Sequence, residues 1–242
     1  MPEPSPTLAP RELAAGLVLR GVMPPLRLAD FRLIAFDMDS TLIDIECIDE
    51  IADVVGRGAE VAAITEAAMR GEIADYAESL RRRLALLRGV PVSALERVYR
   101  HRLRLHPGAL ELIAAVKTAG LKVLLVSGGF TYFTSRLQAR LGLDFTRANE
   151  LGIADGRLTG EVVGAIVDAQ AKADTLLATC RAVGCAPHEA IAMGDGANDL
   201  EMMKVAGLSV AYRAKPRVRA AAHVAIDTGG LDRLLEVFGA QA

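Results

Sequence analysis

The segment Asp37-Met38-Asp39-Ser40-Thr41 ends a short apolar run, Arg32–Asp37 (RLIAFD). Two carboxylates one residue apart at a strand end can hold a hard metal ion, or divide a reaction between a nucleophile and a general acid/base. In open α/β sheets the carboxyl ends of the strands face the ligand crevice, so both acids would emerge where chemistry is done. On a regular strand they would share one face. A departure from β geometry around Asp39 would let them approach a ligand from different sides. A bare D-x-D also occurs in surface loops and in the metal sites of nucleotide-sugar enzymes.

Three further segments could complete such a site. Gly194-Asp195-Gly196-Ala197-Asn198-Asp199 closes another apolar run; its glycines permit a sharp turn and a close backbone approach. Asn198 and Asp199 could serve there as helix caps, a role that leaves Asp195 unexplained. Asp37, Asp39 and Asp195 make an oxygen-rich set suited to Mg²⁺, and no histidine or cysteine stands beside them at zinc-ligand spacing. Ser127-Gly128-Gly129 offers a hydroxyl and free backbone N–H groups as an anion cradle. Lys172 falls in the first turn of a helix beginning after Asp168, where its charge opposes the helix dipole unless a phosphate lies near. Together these residues describe phosphoryl transfer: Asp37 as nucleophile on the rigid strand end, Asp39 as acid/base on the bend, and an aspartyl-phosphate between them.

The elements that must position them read as an α/β fold. Lys122–Ser127 (KVLLVS), Ala190–Gly194 (AIAMG), Leu208–Tyr212 and His223–Ile226 resemble Arg32–Asp37, near-continuous apolar runs typical of buried parallel strands between amphipathic helices. Glu150–Leu158 reads as a hairpin turning near Asp155-Gly156. From Cys47 to Leu105 no strand is expected, and helical spacing recurs over three or four segments. That block suggests a helical cap inserted over the carboxyl edge of the sheet, residues 46–105, with the core formed by 28–45 and 106–242. Residues 1–27 hold six of the ten prolines and read as a proline-rich arm, with a short surface helix over Leu13–Leu19.

Composition excludes several classes. The net charge is 28 − 30 = −2, which gives no electrostatic reason to bind nucleic acid or an anionic membrane. No apolar run approaches the ~18 residues of a membrane span. The three cysteines are too few for a disulfide framework, and a reducing, cytoplasmic setting is expected. The four histidines form no cluster, and the sequence leaves open whether the chain forms a homodimer.

Four stretches, FDMDSTLIDIECIDEIA (36–52), VSGGF (126–130), AKADTL (171–176) and GDGANDLEMM (194–203), resemble in order the phosphatases of the haloacid dehalogenase (HAD) superfamily, most closely the phosphoserine phosphatases. The resemblance implies a Rossmann-like HAD core with a small inserted helical cap. It implies Asp37 as nucleophile and Asp39 as general acid/base, with Mg²⁺ held by Asp37, the Asp39 carbonyl and Asp195. Ser127, Gly128 and Lys172 would hold phosphate, Asn198 would contact substrate, and Asp199 would support the site from behind. The implied reaction is hydrolysis of O-phospho-L-serine, the last step of serine biosynthesis. Tyr76 stands where relatives have phenylalanine. Many bacterial members carry an amino-acid-sensing domain, for which the residues ahead of Leu28 are too few, so feedback through one is not expected.

A phosphoserine site must also hold an ammonium and a carboxylate. The resemblance gives the ammonium to Glu46; otherwise Glu46 is a solvent-exposed acid near a helix start. The carboxylate suits an arginine fork. At about 100° per residue, Tyr76, Leu80, Leu84 and Leu87 form one stripe, from whose centre Arg83 lies about 55°, Arg81 about 105° and Arg82 about 155°. Only Arg83 borders the buried face, and the family pattern points to the same residue. Met69 is expected in the cap core or as an apolar wall, and Asp49 and Glu50 as exposed acids at a helix start. Two other readings are a phosphotransferase that passes the phosphoryl group to an alcohol such as homoserine, and an inert phospho-ligand module. The second predicts loss of the nucleophile or metal acids, and all are present.

Overall fold

The computed structural model describes residues 9–70, 72–73 and 75–239, with the side chain of Met69 outside the described set. The strands are β1 (Arg11–Ala14), β2 (Leu17–Leu19), β3 (Leu33–Phe36), β4 (Lys122–Phe130), β5 (Phe145–Ala154), β6 (Arg157–Val163), β7 (Ala190–Gly194), β8 (Leu208–Tyr212) and β9 (Val224–Ile226). The helices are α1 (Cys47–Val54), α2 (Gly58–Met69), α3 (Tyr76–Leu86), α4 (Val92–His101), α5 (Ala109–Thr118), α6 (Thr131–Leu141), α7 (Ala169–Val183), α8 (Leu200–Val205) and α9 (Pro216–Ala221). The strands make one sheet in the order β1-β2-β9-β8-β7-β3-β4-β5-β6. From β9 to β5 every neighbouring pair is parallel, and both edges are antiparallel.

Both faces of this sheet are covered, which is why its central strands read as unbroken apolar runs. Alternation still sorts the residues by face. Ile34, Phe36, Val123, Leu125, Ile191 and Met193 enter one core cluster with α5 and α6. Leu33, Ala35, Leu124, Val126, Ala190 and Ala192 enter the other, with Leu176 of α7 and Met202 and Met203 of α8. Alanines at the centre of that second face leave room for α7 to lie close to β3. Lys172 rides on α7, and β3 delivers Asp37.

Helices α1 to α4 follow β3 and return to α5 through a narrow neck. There Ile43 and Leu105 form an isolated antiparallel bridge, and the Asp44 N–H donates to the Arg104 carbonyl at 3.0 Å. The block is also fastened to the β5–β6 hairpin. Gly89 N–H donates to the Leu158 carbonyl and Leu158 N–H to the Val90 carbonyl, each at 2.8 Å. The hairpin turns at Asp155 and Gly156, with φ of 51° and 71°, the left-handed pair of a two-residue turn.

One expectation fails. Leu13–Leu19 is not a surface helix; it contains the turn of a β-hairpin. Leu17 and Leu19 are buried while Val18 faces away, a period of two, and β2 pairs antiparallel with β9, Leu17 opposite Ile226. The turn uses Gly16 at φ 71°. Seven mostly apolar residues fit either period, and pairing with a strand from the far end of the chain decided the outcome. The proline-rich stretch thus contributes two strands to the sheet. Prolines 2, 4 and 6 lie outside the described residues.

Candidate active site

The site begins where β3 ends. Asp37 N–H donates to the Met193 carbonyl of β7 at 2.9 Å, extending the parallel ladder by one residue. The chain then leaves the sheet: Asp39 is extended, and Ser40 takes the left-handed region at φ 56°, uncommon for a residue with a Cβ. The turn is held by its own side chains. Asp39 Oδ1 accepts from Cys47 N–H in the first turn of α1 at 3.0 Å. Ser40 Oγ donates to Glu46 Oε1 at 2.8 Å, and Thr41 Oγ1 to Asp195 Oδ1 at 3.1 Å.

Behind this turn Lys172 is fully buried, its Nζ donating to Asp37 Oδ1 at 2.6 Å and to Asp199 Oδ1 at 2.7 Å. The other oxygen of Asp199 accepts from Asp195 N–H at 3.2 Å and Gly196 N–H at 3.0 Å. Asp199 thus accepts three hydrogen bonds and braces both the lysine and the Asp195 loop. Burial would lower the Lys172 ammonium, but the carboxylates of Asp199 and Asp37 more than reverse this and hold it protonated. Burial and repulsion from Asp199 push Asp37 well above the usual carboxylate range, with Lys172 opposing both. Burial and Glu46 raise Asp39 to about 7. Burial, Asp199 and Glu46 raise Asp195 to about 6.

Carboxylate oxygens of Asp37, Asp195 and Asp199 lie within 4.8 Å of one another. Asp199 turns its oxygens to Lys172 and the Asp195 loop, which leaves Asp37 and Asp195 as the freer side-chain ligands, a hard-oxygen set that fits Mg²⁺ and not a soft metal. The carboxylate of Asp39 stands outside this cluster, facing the α1 N-terminus. Any ligation by Asp39 would use its main-chain carbonyl, the atom the sequence resemblance names.

These groups border a cavity of about 600 Å³ between the strand ends and the helical block. Of the residues singled out from the sequence, Asp37, Asp39, Glu46, Arg83, Gly128, Asp195 and Asn198 line it. Ser127, Lys172 and Asp199 lie behind its wall, all three buried. Arg83 reaches the cavity from α3; Arg81 and Arg82 face solvent, Arg82 paired with Glu78 at 2.7 Å. Desolvation and the neighbouring Asp49 raise Glu46, while Ser40, Lys215 and Arg83 draw it down. The floor opposite α3 is the Ser127 loop, where a Cβ on Gly129 would sit 2.6 Å from Asp39 Oδ2 and displace that carboxylate.

Asp49, Lys215 and Tyr76 also line the cavity, although none of the three was assigned to it from the sequence. Asp49, read from the sequence as an exposed acid, borders the cavity, and its buried Oδ1 has no hydrogen-bond partner among the described residues. Lys215, just ahead of α9, lines the rim, and its N–H donates to the Asp195 carbonyl at 3.1 Å. Tyr76 sends its hydroxyl across the cavity to the Gly128 carbonyl at 3.2 Å, and burial holds that phenol at about 12. Only Tyr76 had a signal, its place on the buried stripe of α3. The side chain of Met69 lies outside the described residues.

Known proteins share this arrangement. The sequence profile of haloacid dehalogenase-like hydrolases matches residues 34–204. A phosphoserine phosphatase from Polaromonas sp. (strain JS666) is 64% identical over 234 residues, covering 95% of this chain and 99% of that one. A solved structure described as a substrate-bound phosphoserine phosphatase complex is 38% identical with a TM-score of 0.80, covering 86% of this chain and 99% of the other. A phospho-aspartyl intermediate analogue of phosphoserine phosphatase aligns at 39% identity, the same TM-score and the same coverage. With the four motifs brought to one cavity and likeness along nearly its whole length, this chain belongs to the haloacid dehalogenase-like hydrolases and, among them, to the phosphoserine phosphatase family.

Proposed function

We propose that this protein is a Mg²⁺-dependent phosphatase that hydrolyses O-phospho-L-serine to L-serine and phosphate, the final step of serine biosynthesis, in the cytoplasm. One observation carries the reading: a single cavity is lined on the strand side by Asp37, Asp39 and Asp195 and on the helical side by Glu46 and Arg83. The first set suits a phosphate ester, and the second suits an amino acid's ammonium and carboxylate. Residues 46–105 act as the cap, and 28–45 with 106–242 as the core, whose sheet β1 and β2 extend.

In this reading Asp37 attacks phosphorus, and Asp39, protonated near neutral pH, gives its proton to the departing serine oxygen. Asp39 then takes a proton from water, which attacks the aspartyl-phosphate on Asp37 and releases phosphate. Lys172 and Ser127 hold the phosphoryl oxygens, Gly128 lets them approach the backbone, and Asn198 contacts substrate at the rim. Mg²⁺, held by Asp37, Asp195 and the Asp39 carbonyl, would neutralise the anion and keep Asp37 ionised. Chelation should stop turnover reversibly. Added Mg²⁺ should also raise the melting temperature of metal-free protein by several degrees, and Asp195→Asn should abolish that rise. Activity surviving thorough chelation would remove the metal from the mechanism.

Arg83→Ala tests the substrate. A bidentate guanidinium–carboxylate contact is worth about 1.5–3 kcal/mol, roughly 10- to 100-fold in kcat/KM. That loss is expected for phosphoserine and not for p-nitrophenyl phosphate, which has no carboxylate. Equal losses on both substrates would show that Arg83 does not read the carboxylate.

A further inference from the structure

Asn149, on β5, is buried at 1% exposure and belongs to none of the motifs described above. Its Nδ2 donates to the Gly128 carbonyl at 2.7 Å, and its Oδ1 accepts from Val167 N–H at 2.7 Å. A carbonyl can only accept and an N–H can only donate, so these neighbours fix the orientation of the amide. We infer that Asn149 is a positioning residue that sets the two phosphate-holding segments, the Ser127 loop and the start of α7, at a fixed separation. The inference rests on the phosphatase reading above.

Each end of the amide acts on a group that the chemistry uses. The Gly128 carbonyl and the Gly129 N–H belong to one planar peptide, so fixing one fixes the other. Gly129 N–H donates to Ser127 Oγ at 2.8 Å. With that oxygen already accepting, the Ser127 hydroxyl proton stays available to a phosphate oxygen. Tyr76 places a second donor on the same carbonyl from the helical block, so the peptide is held from β5 and from α3. At the other end, Val167 immediately precedes Asp168, whose side chain caps α7 by accepting from Ala171 N–H at 2.8 Å. Lys172 follows one turn later, pinned between Asp37 and Asp199. No other buried side chain among the described residues hydrogen-bonds both segments, and a misplacement of about 1 Å in such a constellation can cost on the order of 10²-fold in rate.

Asn149→Asp separates positioning from mere packing. The carboxylate keeps the bond from Val167 N–H, loses the donor to Gly128 and sets two acceptors against each other. The readouts are kcat/KM on p-nitrophenyl phosphate and on phosphoserine, and inhibition by inorganic phosphate. Both kcat/KM values should fall on the order of 10²-fold, and the phosphate inhibition constant should rise about tenfold. A folded Asn149→Asp protein with wild-type phosphate inhibition and kcat/KM within about twofold overturns the inference, whatever its melting temperature. If that variant does not fold, Asn149→Ser, where water can satisfy both groups without fixing them, is read by the same measurements and decides the matter. Wild-type protein that hydrolyses the aryl ester but not phosphoserine would sink the substrate reading and leave this test standing.

Discussion

Asp37→Asn should lower phosphoserine turnover by at least roughly 10⁴-fold, the scale seen when a covalent nucleophile is removed from an otherwise intact site. The carboxamide occupies the same volume but has no nucleophilic oxygen, so no phosphoenzyme can form. The fold should survive. Burial and Asp199 both disfavour the Asp37 charge, so its loss removes repulsion as well as one contact to Lys172. The measurement is paired: phosphoenzyme trapped by acid quench in wild type and absent in the variant, with matching thermal melts. Appreciable turnover by the variant would eliminate the covalent route.

Lys172→Met should damage both stability and catalysis. Removing one partner from a buried ion pair costs about 3–5 kcal/mol, because the remaining charge is left unpaired; here two carboxylates, Asp37 and Asp199, would be left. At about 2–4 °C per kcal/mol for a chain of this size, the melting temperature should drop by about 10 °C. Losing the preorganised cation should lower kcat on the order of 10³-fold. The stability loss should shrink as pH falls. With the lysine gone, the carboxyl of Asp37, already raised, loses the charge that draws it down, so protonation on lowering the pH favours the folded protein. A variant whose melting temperature is unchanged at neutral pH would show that the triad is not the electrostatic keystone of the site.

The parallel sheet was legible because its strands are buried on both faces. Arg32–Asp37, Lys122–Ser127, Ala190–Gly194 and Leu208–Tyr212 needed no long-range information to be recognised. The β5–β6 turn was equally local, written in Asp155-Gly156. The hairpin at β1 and β2 was not, since nothing near Leu17 announces that Ile226 will lie beside it. Arg83 could be separated from Arg81 and Arg82 because helical angle is a local property. Asn149, Lys215 and Asp49 were out of reach for the opposite reason. Their importance comes from what lies across the cavity, at sequence separations where one chain carries no pattern. Asp199 was nameable as a support, but its contact with Lys172 depends on how closely α7 lies against the alanine-rich face.

The pairing of β2 with β9 has a consequence for biosynthesis. Leu17 leaves the ribosome roughly 200 residues ahead of Ile226 and can pair with it only afterwards, a closure whose entropic cost rises slowly with length but cannot be met sooner. Until then the nascent chain holds the β1–β2 hairpin without β9 and β8 with an open flank, both exposed to intermolecular pairing. Truncation before Val224 should therefore yield a chain that associates through these unpaired backbones, even though Asp37, Lys172 and Asp195 have all been synthesised.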